Sequence, residues 1–292
     1  MTMLQSWTSN TLDLGTGLVS KFGHLHRGHA FSALTAFAAA REAGGRFRLR
    51  IEDIDATRCR PEFEAAIYED LAWLGLDWEV PARRQSDHMA DYRAALDRLA
   101  EHGLVYRCFR TRREVAEAIE AAPHGTMEAW RGSPLPPAEE QRRLEAGDAY
   151  AWRLSLAAAE RELGGFADLT FVEEGQGPAG ERGVIAARPA LGGDVVLARK
   201  DVGVAYHLAV VHDDALQGVT HVIRGQDLFE ATHVQRLLQA LLGAPTPTYR
   251  HHRLLTGADG RRFAKRDGAQ TLRSLREAGM TAAQLRAEMG FD

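Results

Sequence analysis

The sequence predicts an α/β fold, a doubly wound parallel sheet with a small α+β lobe inserted into it. Strand and helix patterns alternate through residues 1–110, and the alternation resumes at residues 194–245. Between them, residues 111–193 begin with a capping box and a Pro/Gly-rich stretch and contain only short strand-like runs. We therefore expect two halves of one core, an inserted lobe, and a small basic C-terminal segment at residues 246–292 after two prolines.

The elements of the core follow from apolar spacing and from helix start and stop signals. Phe47, Leu49 and Ile51 alternate with charged residues, as in a half-buried strand, and Pro61 and Gly75 bracket a helical pattern. The expected elements are a strand at 11–19, an Ala-rich helix from about 30, a strand at 47–51, helices at 61–75 and 87–101, strands at 104–109, 150–156, 169–172, 195–197, 206–211 and 219–224, and a helix at 228–242.

Composition limits the class of protein. A chain of 292 residues with 45% apolar content can bury a full core, and no apolar run approaches the roughly 20 residues of a membrane span. Residues 1–23 lack the basic start and apolar centre of a leader, so a cytoplasmic location is expected. The two cysteines, Cys59 and Cys108, form no metal-binding pair pattern. With a net charge of −4, a nucleic acid would have to meet a local basic patch.

The sequence His26-Arg27-Gly28-His29 directly precedes the Ala-rich helix. We expect both histidines to surround the helix N-terminus, where unpaired N–H groups and the helix dipole favour phosphate. Gly28 would let a ligand approach the main chain closely. Taken alone, a surface turn containing histidine and glycine is the more common interpretation.

A second candidate lies in the basic C-terminal segment, at residues 261–268. Only three of the 36 basic residues are lysines, so Lys265 beside Arg262 is more informative than usual. A basic loop ahead of a short helix can bind a polyphosphate. Taken alone, a solvated basic surface is again the more common interpretation.

Together these motifs resemble those of class I aminoacyl-tRNA synthetases. His26 to His29 is similar to their HIGH motif, and the sequence from Arg262 to Arg266 is similar to their KMSKS loop. Residues 49–55 resemble the Arg-Ile-Glu-Asp-Thr-Asp run of the glutamyl enzymes, and residues 206–214 with 219–225 resemble their glutamate-binding strands. The motifs occur in the order of that family.

Within the family, the chain is most similar to the glutamyl-queuosine tRNA(Asp) synthetases. Glutamyl-tRNA synthetases carry a further helical half that reads the anticodon, whereas this sequence ends soon after the KMSKS-like loop, and residues 217–227 also resemble the queuosine-specific enzymes. The resemblance implies activation of glutamate with ATP and transfer to queuosine in the anticodon of tRNA(Asp). Mg²⁺ would accompany ATP without a dedicated protein cage.

The resemblance also implies roles for individual residues. His26, His29 and Lys265 would be catalytic, and they would bind ATP together with Gly28 and Arg262. Four residues would bind glutamate, with Glu52 facing its ammonium and Arg224 able to hold a carboxylate through two parallel hydrogen bonds. These four are Ser20, Glu52, Tyr206 and Arg224.

The sequence departs from the family in two places. Residues 16–22 stand where relatives have Arg-Phe-Ala-Pro-Ser-Pro, so an arginine that binds glutamate in the family is missing. Cys108 is retained from the zinc-binding Cys-x-Cys pattern of many relatives, but Arg110 replaces the second cysteine and Trp130 falls near the later ligands. We therefore expect no structural zinc.

Three other functions stay open on the sequence alone. The chain could be a truncated glutamyl-tRNA synthetase acting at the tRNA 3′ end, or could form an adenylate for an acceptor other than tRNA. The altered N-terminal sequence would also suit a catalytically impaired RNA-binding paralogue. Pyrophosphate exchange separates the enzymes from the paralogue.

Overall fold

A computed structural model describes residues 24–55, 59–120, 129–199, 203–255 and 270–291, and the main chain alone of residues 13–18. The strands are β1 (Asp13–Leu18), β2 (Arg46–Ile51), β3 (Arg83–Arg84), β4 (Val105–Cys108), β5 (Ala151–Leu154), β6 (Thr170–Glu173), β7 (Gly183–Ala186), β8 (Val196–Arg199), β9 (Gly203–Val204), β10 (His221–Gly225) and β11 (Thr248–His252). The helices are α1 (Arg27–Glu42), α2 (Pro61–Trp73), α3 (Met89–Glu101), α4 (Arg112–Glu120), α5 (Pro137–Glu145), α6 (Leu156–Leu163), α7 (Tyr206–Leu216), α8 (Phe229–Leu242), α9 (Leu272–Glu277) and α10 (Ala282–Glu288).

The larger sheet has the strand order β3-β2-β1-β10-β11-β6-β7, and all neighbouring strands are parallel except β7, which runs antiparallel to β6. Helices cover both of its faces. Val222 and Ile223, consecutive on β10, pack into different cores, one with α3, α7 and α8 and the other with α1, α2, α9 and α10. Because successive strand residues point to opposite faces, this arrangement confirms the predicted doubly wound sheet.

The chain order reverses between β1 and β10, where Leu14 pairs with His221. In open parallel sheets, ligands bind outside the carboxyl ends of the strands at such a reversal. Helix α1 follows β1 there, Glu52 follows β2, and Arg224 lies near the carboxyl end of β10. The fold therefore places three of the predicted site elements at one edge.

A second, antiparallel sheet has the order β4-β5-β8-β9. The sequence analysis assigned the strand at 104–109 to the doubly wound unit, and this was wrong, because Val105 pairs with Leu154 of β5. Conversely, β6 from the predicted insertion joins the large sheet beside β11. Apolar patterns identify strands but not their partners. The predicted domain boundaries stay a prediction.

The expected strand at 206–211 was also wrong, because these residues begin helix α7. The run is apolar on consecutive positions and Leu208 to Val211 are all buried. A short, continuously apolar run fits a buried strand and a buried helix equally well, so periodicity could not decide.

Helices α9 and α10 bring the C-terminal segment back to α1. Leu272 and Leu285 are fully buried in the core that α1 and α2 share. The main-chain N–H of Leu272 donates to the carbonyl of Leu25 at 2.8 Å, and His252 contacts Ser32 of α1 through its Nε2 at 3.0 Å. The described residues on both sides of 256–269 therefore contact α1 or the residue just before its cap.

None of the helices in the described part of the chain combines the length and apolar character that a membrane crossing needs. Cys59 and Cys108 do not form a disulfide, and Cys108 is buried on β4.

Candidate active site

Both histidines of the His26 to His29 turn take part in capping α1. His26 is the N-cap residue, and its Nδ1 accepts a hydrogen bond from the main-chain N–H of Gly28 at 3.1 Å. The Nδ1 of His29 accepts one from the main-chain N–H of His26 at 3.2 Å, and the two rings stack with centroids 3.8 Å apart. The predicted position of these residues around a helix N-terminus is confirmed.

These hydrogen bonds fix the tautomer of each neutral imidazole. Because Nδ1 of His26 and of His29 accepts, the proton lies on Nε2 in both rings. The Nε2–H groups are the donors that the two rings can present to an anion at the helix end, which the helix dipole also favours. The sequence pattern could not distinguish the capping nitrogen from the donor nitrogen.

Gly28 is packed against one of these rings. A Cβ at this position would lie 3.0 Å from Cε1 and 3.1 Å from Nδ1 of His26, which is tighter than ordinary van der Waals contact. The expectation was that Gly28 leaves space for a ligand. In the structure, the atoms nearest to a Cβ at position 28 belong to the His26 ring. A side chain at this position would therefore displace that ring.

Glu52 lies at the carboxyl end of β2 and is 5% exposed. Its Oε1 accepts a hydrogen bond from Nη2 of Arg50 at 3.1 Å, and no hydrogen bond from the described residues reaches its Oε2. Burial raises the pKa of Glu52, and the charge of Arg50 offsets only part of that increase.

Arg50 links Glu52 to helix α7. Its Nη1 donates to Oδ1 of Asp214 at 2.8 Å and to Oε1 of Gln217 at 3.2 Å. Burial lowers the pKa of Arg50, but the surrounding carboxylates, Asp214 first, more than offset this and hold the pKa above its ordinary value. Arg50 is therefore a buried cation that orients one oxygen of Glu52.

Arg224 is 9% exposed on β10, and its guanidinium is held at two of its nitrogens. Its Nε donates to Nε2 of His251 at 3.1 Å, and its Nη2 donates to Oγ1 of Thr232 at 2.7 Å and to the carbonyl of Leu228 at 3.2 Å. The guanidinium carbon lies 5.3 Å from the centre of the Tyr249 ring. Within the described residues, Nη1 of Arg224 has no hydrogen-bond partner.

These contacts bear on the expected binding of a carboxylate by Arg224, which stays a prediction. The sequence analysis gave Arg224 two parallel hydrogen bonds to a carboxylate, but both hydrogens of Nη2 and the single hydrogen of Nε already have acceptors. A carboxylate can therefore be bound through Nη1 without breaking a protein contact. Two bonds through Nη1 and Nη2 would cost the contact to Leu228.

Tyr206 is the first residue of α7, and its pKa responds to the charges of Glu52 and Arg224. Burial raises the pKa of Tyr206, the charge on Glu52 raises it further, and the charge on Arg224 lowers it. The neighbouring His207 has its pKa lowered to about 4, first by burial and then by Arg224. Both rings are therefore neutral near pH 7.

Glu52 and Arg224 both act electrostatically on Tyr206, and each keeps one polar atom without a hydrogen-bond partner in the described part of the chain. A ligand with both an ammonium and a carboxylate is complementary to that arrangement. The predicted site residues Ser20, Arg262 and Lys265 lie outside the described residues.

Sequence reasoning missed the residues that hold these groups in place. Arg50 lies between buried Leu49 and Ile51 on β2, and Asp213 and Asp214 interrupt the apolar run of α7. Charged residues inside apolar patterns need buried partners, so these positions carried a usable signal. The partners themselves come from distant segments and had no signal in the local pattern.

The chain matches the family model of tRNA synthetases class I (E and Q), catalytic domain, over residues 20–287. It belongs to this family. As a class I tRNA synthetase it is a ligase, and its parallel sheet with helices on both faces is the catalytic-domain fold of that family.

Named relatives fall into two groups. A glutamyl-Q tRNA(Asp) synthetase of Rhodobacter capsulatus is 46% identical over 280 residues, which cover 93% of this chain and 98% of that protein. A glutamate–tRNA ligase of Synechococcus sp. is 37% identical over 272 residues, covering 90% of this chain but 54% of that protein. The crystal structure of the glutamate-tRNA synthetase of Elizabethkingia anophelis has a TM-score of 0.71 at 26% identity, covering 89% of this chain and 53% of that one. The chain therefore spans about half the length of the glutamate–tRNA ligases.

Cys108 is the last residue of β4 in the antiparallel sheet, and Arg110 follows it closely. The guanidinium of Arg110 lies 5.3 Å from the centre of the Trp130 ring, a cation–π arrangement. No group of three or more His, Cys, Asp or Glu side chains in the described ranges is arranged to hold a metal. The absence of zinc stays a prediction.

Proposed function

We propose that this synthetase activates glutamate with ATP and transfers the glutamyl group to queuosine at the anticodon wobble position of tRNA(Asp). The observation that carries the proposal is the match along nearly the whole length of the Rhodobacter capsulatus glutamyl-Q tRNA(Asp) synthetase. The opposite charges of Glu52 and Arg224, which both act on Tyr206, support glutamate as the amino acid.

In the first step, a carboxylate oxygen of glutamate attacks the α-phosphorus of ATP, and the bond to pyrophosphate breaks. The Nε2–H groups of His26 and His29 at the start of α1 are suited to stabilise the charge that develops on the phosphate oxygens. ATP would arrive as its Mg²⁺ complex. No protein nucleophile is required, so catalysis consists of positioning and charge stabilisation.

Glutamate itself is held by opposite charges. Its ammonium would bind at Oε2 of Glu52, the oxygen that Arg50 does not contact, and a carboxylate would bind at Nη1 of Arg224. The Tyr206 hydroxyl, kept protonated by its raised pKa, can donate a further hydrogen bond. Ser20 would complete this set.

In the second step, a hydroxyl oxygen of queuosine attacks the carbonyl carbon of the adenylate, and AMP leaves. The target base would have to be unstacked from the anticodon loop and inserted into the site, as is usual for single-stranded RNA. Basic residues at Arg250 and Arg253 would contact the phosphates, so binding should weaken steeply with salt.

The proposal is tested by transfer of labelled glutamate to purified tRNA(Asp) with and without queuosine. We expect label on the queuosine-containing tRNA only, including tRNA that lacks its 3′-terminal nucleotide. Lys265→Ala should lower the rate of glutamate-dependent ATP–pyrophosphate exchange about 10² to 10³-fold, the scale of one transition-state contact. Label on the 3′ end of tRNA(Glu) would overturn the queuosine assignment.

Charging of tRNA(Glu) is the second candidate, favoured by the identity to glutamate–tRNA ligases. In that case both tRNA(Glu) labelling and sensitivity to removal of the 3′-terminal nucleotide are expected. Absence of glutamate-dependent exchange would instead favour a binding paralogue.

A further inference from the structure

A buried chain of hydrogen bonds runs from Glu173 on β6 through His251 on β11 to Arg224 on β10. Nδ1 of His251 lies 2.5 Å from Oε2 of Glu173, and Nε2 of His251 lies 3.1 Å from Nε of Arg224. The side chains of Glu173 and His251 are both 0% exposed. Arg224 is the end of this chain nearest the proposed glutamate site.

The direction of each hydrogen bond is fixed by chemistry. The Nε of Arg224 can only donate, so Nε2 of His251 accepts and the proton of the neutral ring lies on Nδ1. That proton is donated to Glu173. The other oxygen of Glu173 accepts from the main-chain N–H groups of His251 and Gly175, both at 2.8 Å. Burial lowers the pKa of His251, which agrees with a neutral ring.

We infer that Glu173 and His251 are positioning residues that hold Arg224 so that its Nη1 edge faces the substrate carboxylate. Glu173 sets the tautomer of His251, and His251 in turn supplies the acceptor for Nε of Arg224. Thr232 and Leu228 hold Nη2. The inference rests on the proposed function, in which Arg224 binds glutamate.

Glu173 comes from a segment of the chain that is distant in sequence from Arg224. β6 belongs to the stretch that the sequence predicts as an insertion, and it joins the large sheet through the pairing of Tyr249 with Glu173. A residue of that stretch therefore controls the orientation of a residue on the central strand β10. This effect is transmitted by the imidazole of His251 and requires the tautomer with its proton on Nδ1.

Glu173→Gln tests the tautomer directly because it preserves shape. The amide oxygen of the glutamine would take the place of Oε1, which accepts two main-chain N–H groups. Its NH₂ group would then face Nδ1 of His251 and force the proton onto Nε2, against the N–H of Arg224. We expect the KM for glutamate to rise about 10- to 100-fold, the range for losing a hydrogen bond to a charged group, with the KM for ATP unchanged.

Two substitutions of His251 form a matched pair. In His251→Gln the amide oxygen reaches the position of Nε2 and can still accept from Arg224. In His251→Asn the shorter amide reaches only the position of Nδ1, so it can contact Glu173 but not Arg224. We expect His251→Gln to retain a KM for glutamate near that of the wild type and His251→Asn to raise it about 10- to 100-fold.

The double variant Glu173→Gln/His251→Gln completes the test. A glutamine at position 251 has no tautomer for Glu173 to set, so Glu173→Gln should cause no further increase in KM in that background. Additive effects of the two substitutions would overturn the inference.

The measurements are ATP–pyrophosphate exchange at varied glutamate and varied ATP, calorimetric binding of glutamate, and thermal unfolding. If the wild type catalyses glutamate-dependent exchange and Glu173→Gln has the same KM for glutamate, the inference is overturned and the proposed function stays intact. A wild type without glutamate-dependent exchange or glutamate binding would overturn both. If Glu173→Gln does not fold, the comparison of His251→Gln with His251→Asn decides, and equal KM values in those two would contradict the inference.

Discussion

Asp213 of helix α7 accepts a hydrogen bond from Arg83 of β3, with 2.8 Å between Oδ1 and Nε. Its other oxygen accepts from the hydroxyl of Tyr92 at 2.8 Å and from Nε2 of Gln85 at 2.9 Å. The Asp213 carboxylate is completely buried. Three donors from outside the helix therefore fix the helix that begins with Tyr206.

We predict that Asp213→Ala lowers the free energy of unfolding by about 3 to 5 kcal/mol, because it removes the buried carboxylate that accepts from Arg83, Gln85 and Tyr92 and leaves Arg83 only the partly exposed Asp91. Tyr92→Phe is the matched control, since it removes one hydrogen bond to the same carboxylate and should cost about 1 to 2 kcal/mol. Urea denaturation of both variants measures the difference. Equal losses would contradict the assigned role of the charge.

The two nitrogens of His26 can be tested separately. His26→Asn keeps a capping acceptor for α1 but has no Nε2–H, whereas His26→Ala loses both. We predict that both variants lower the pyrophosphate exchange rate about 10² to 10³-fold. Only the alanine variant should also lose stability, by about 1 kcal/mol. An asparagine variant with full exchange activity would remove His26 from the reaction.

Asp70 of α2 gives a pH-dependent prediction. Its side chain is completely buried, neither carboxylate oxygen accepts a hydrogen bond from the described residues, and Nη2 of Arg276 lies 3.8 Å from its Oδ1. Burial raises the pKa of Asp70 to about 6, although Arg276 and then His24 act to lower it. The fold therefore favours the protonated carboxyl.

Because the folded pKa lies above the unfolded value, the contribution of Asp70 to stability is complete at about pH 4 and is lost as the pH rises to about 6. Asp70→Asn, which stays neutral, should exceed the wild type in stability by on the order of 3 kcal/mol at pH 8 and match it near pH 4. Denaturation at several pH values checks this. The exposed Asp77→Asn is the control and should show no such trend.

Zinc content provides a prediction that is independent of activity. Protein purified without added zinc should contain far less than one zinc per chain, because by the resemblance Arg110 replaces the second cysteine of the zinc-binding pattern and Trp130 falls near the later ligands. Mass spectrometric metal analysis measures this. A stoichiometric zinc ion would show that the region around Cys108 has been interpreted wrongly.

The sequence predicted the elements of the fold better than their partners. Helix α2 begins at Pro61 and strand β2 lies at Arg46–Ile51, as local signals indicate, because start residues and alternation are properties of a short segment. The pairing of β4 with β5 and the helical form of 206–216 depend on burial by distant segments. Local patterns do not contain that information.

At the site, too, individual residues were predicted but their partners were not. Motif order placed His26, Glu52, Tyr206 and Arg224 among the candidates, and in the structure His26 caps the helix after β1, Glu52 follows β2 and Arg224 lies near the end of β10. The hydrogen-bond partners that orient them, such as His251 for Arg224, were not predicted. Their pairing is created by neighbouring strands that are far apart in sequence.

The pairing of β1 with β10, in which Leu14 lies beside His221, has a consequence for synthesis on the ribosome. β1 and β2 emerge early and can pair with each other, but the second edge of β1 has no partner until β10 has been translated. An unpaired strand edge is prone to association with other chains, and such distant contacts form slowly. The carboxyl edge at which β1 and β10 meet, where Arg224 lies, therefore forms only after residues 221–225 have been translated.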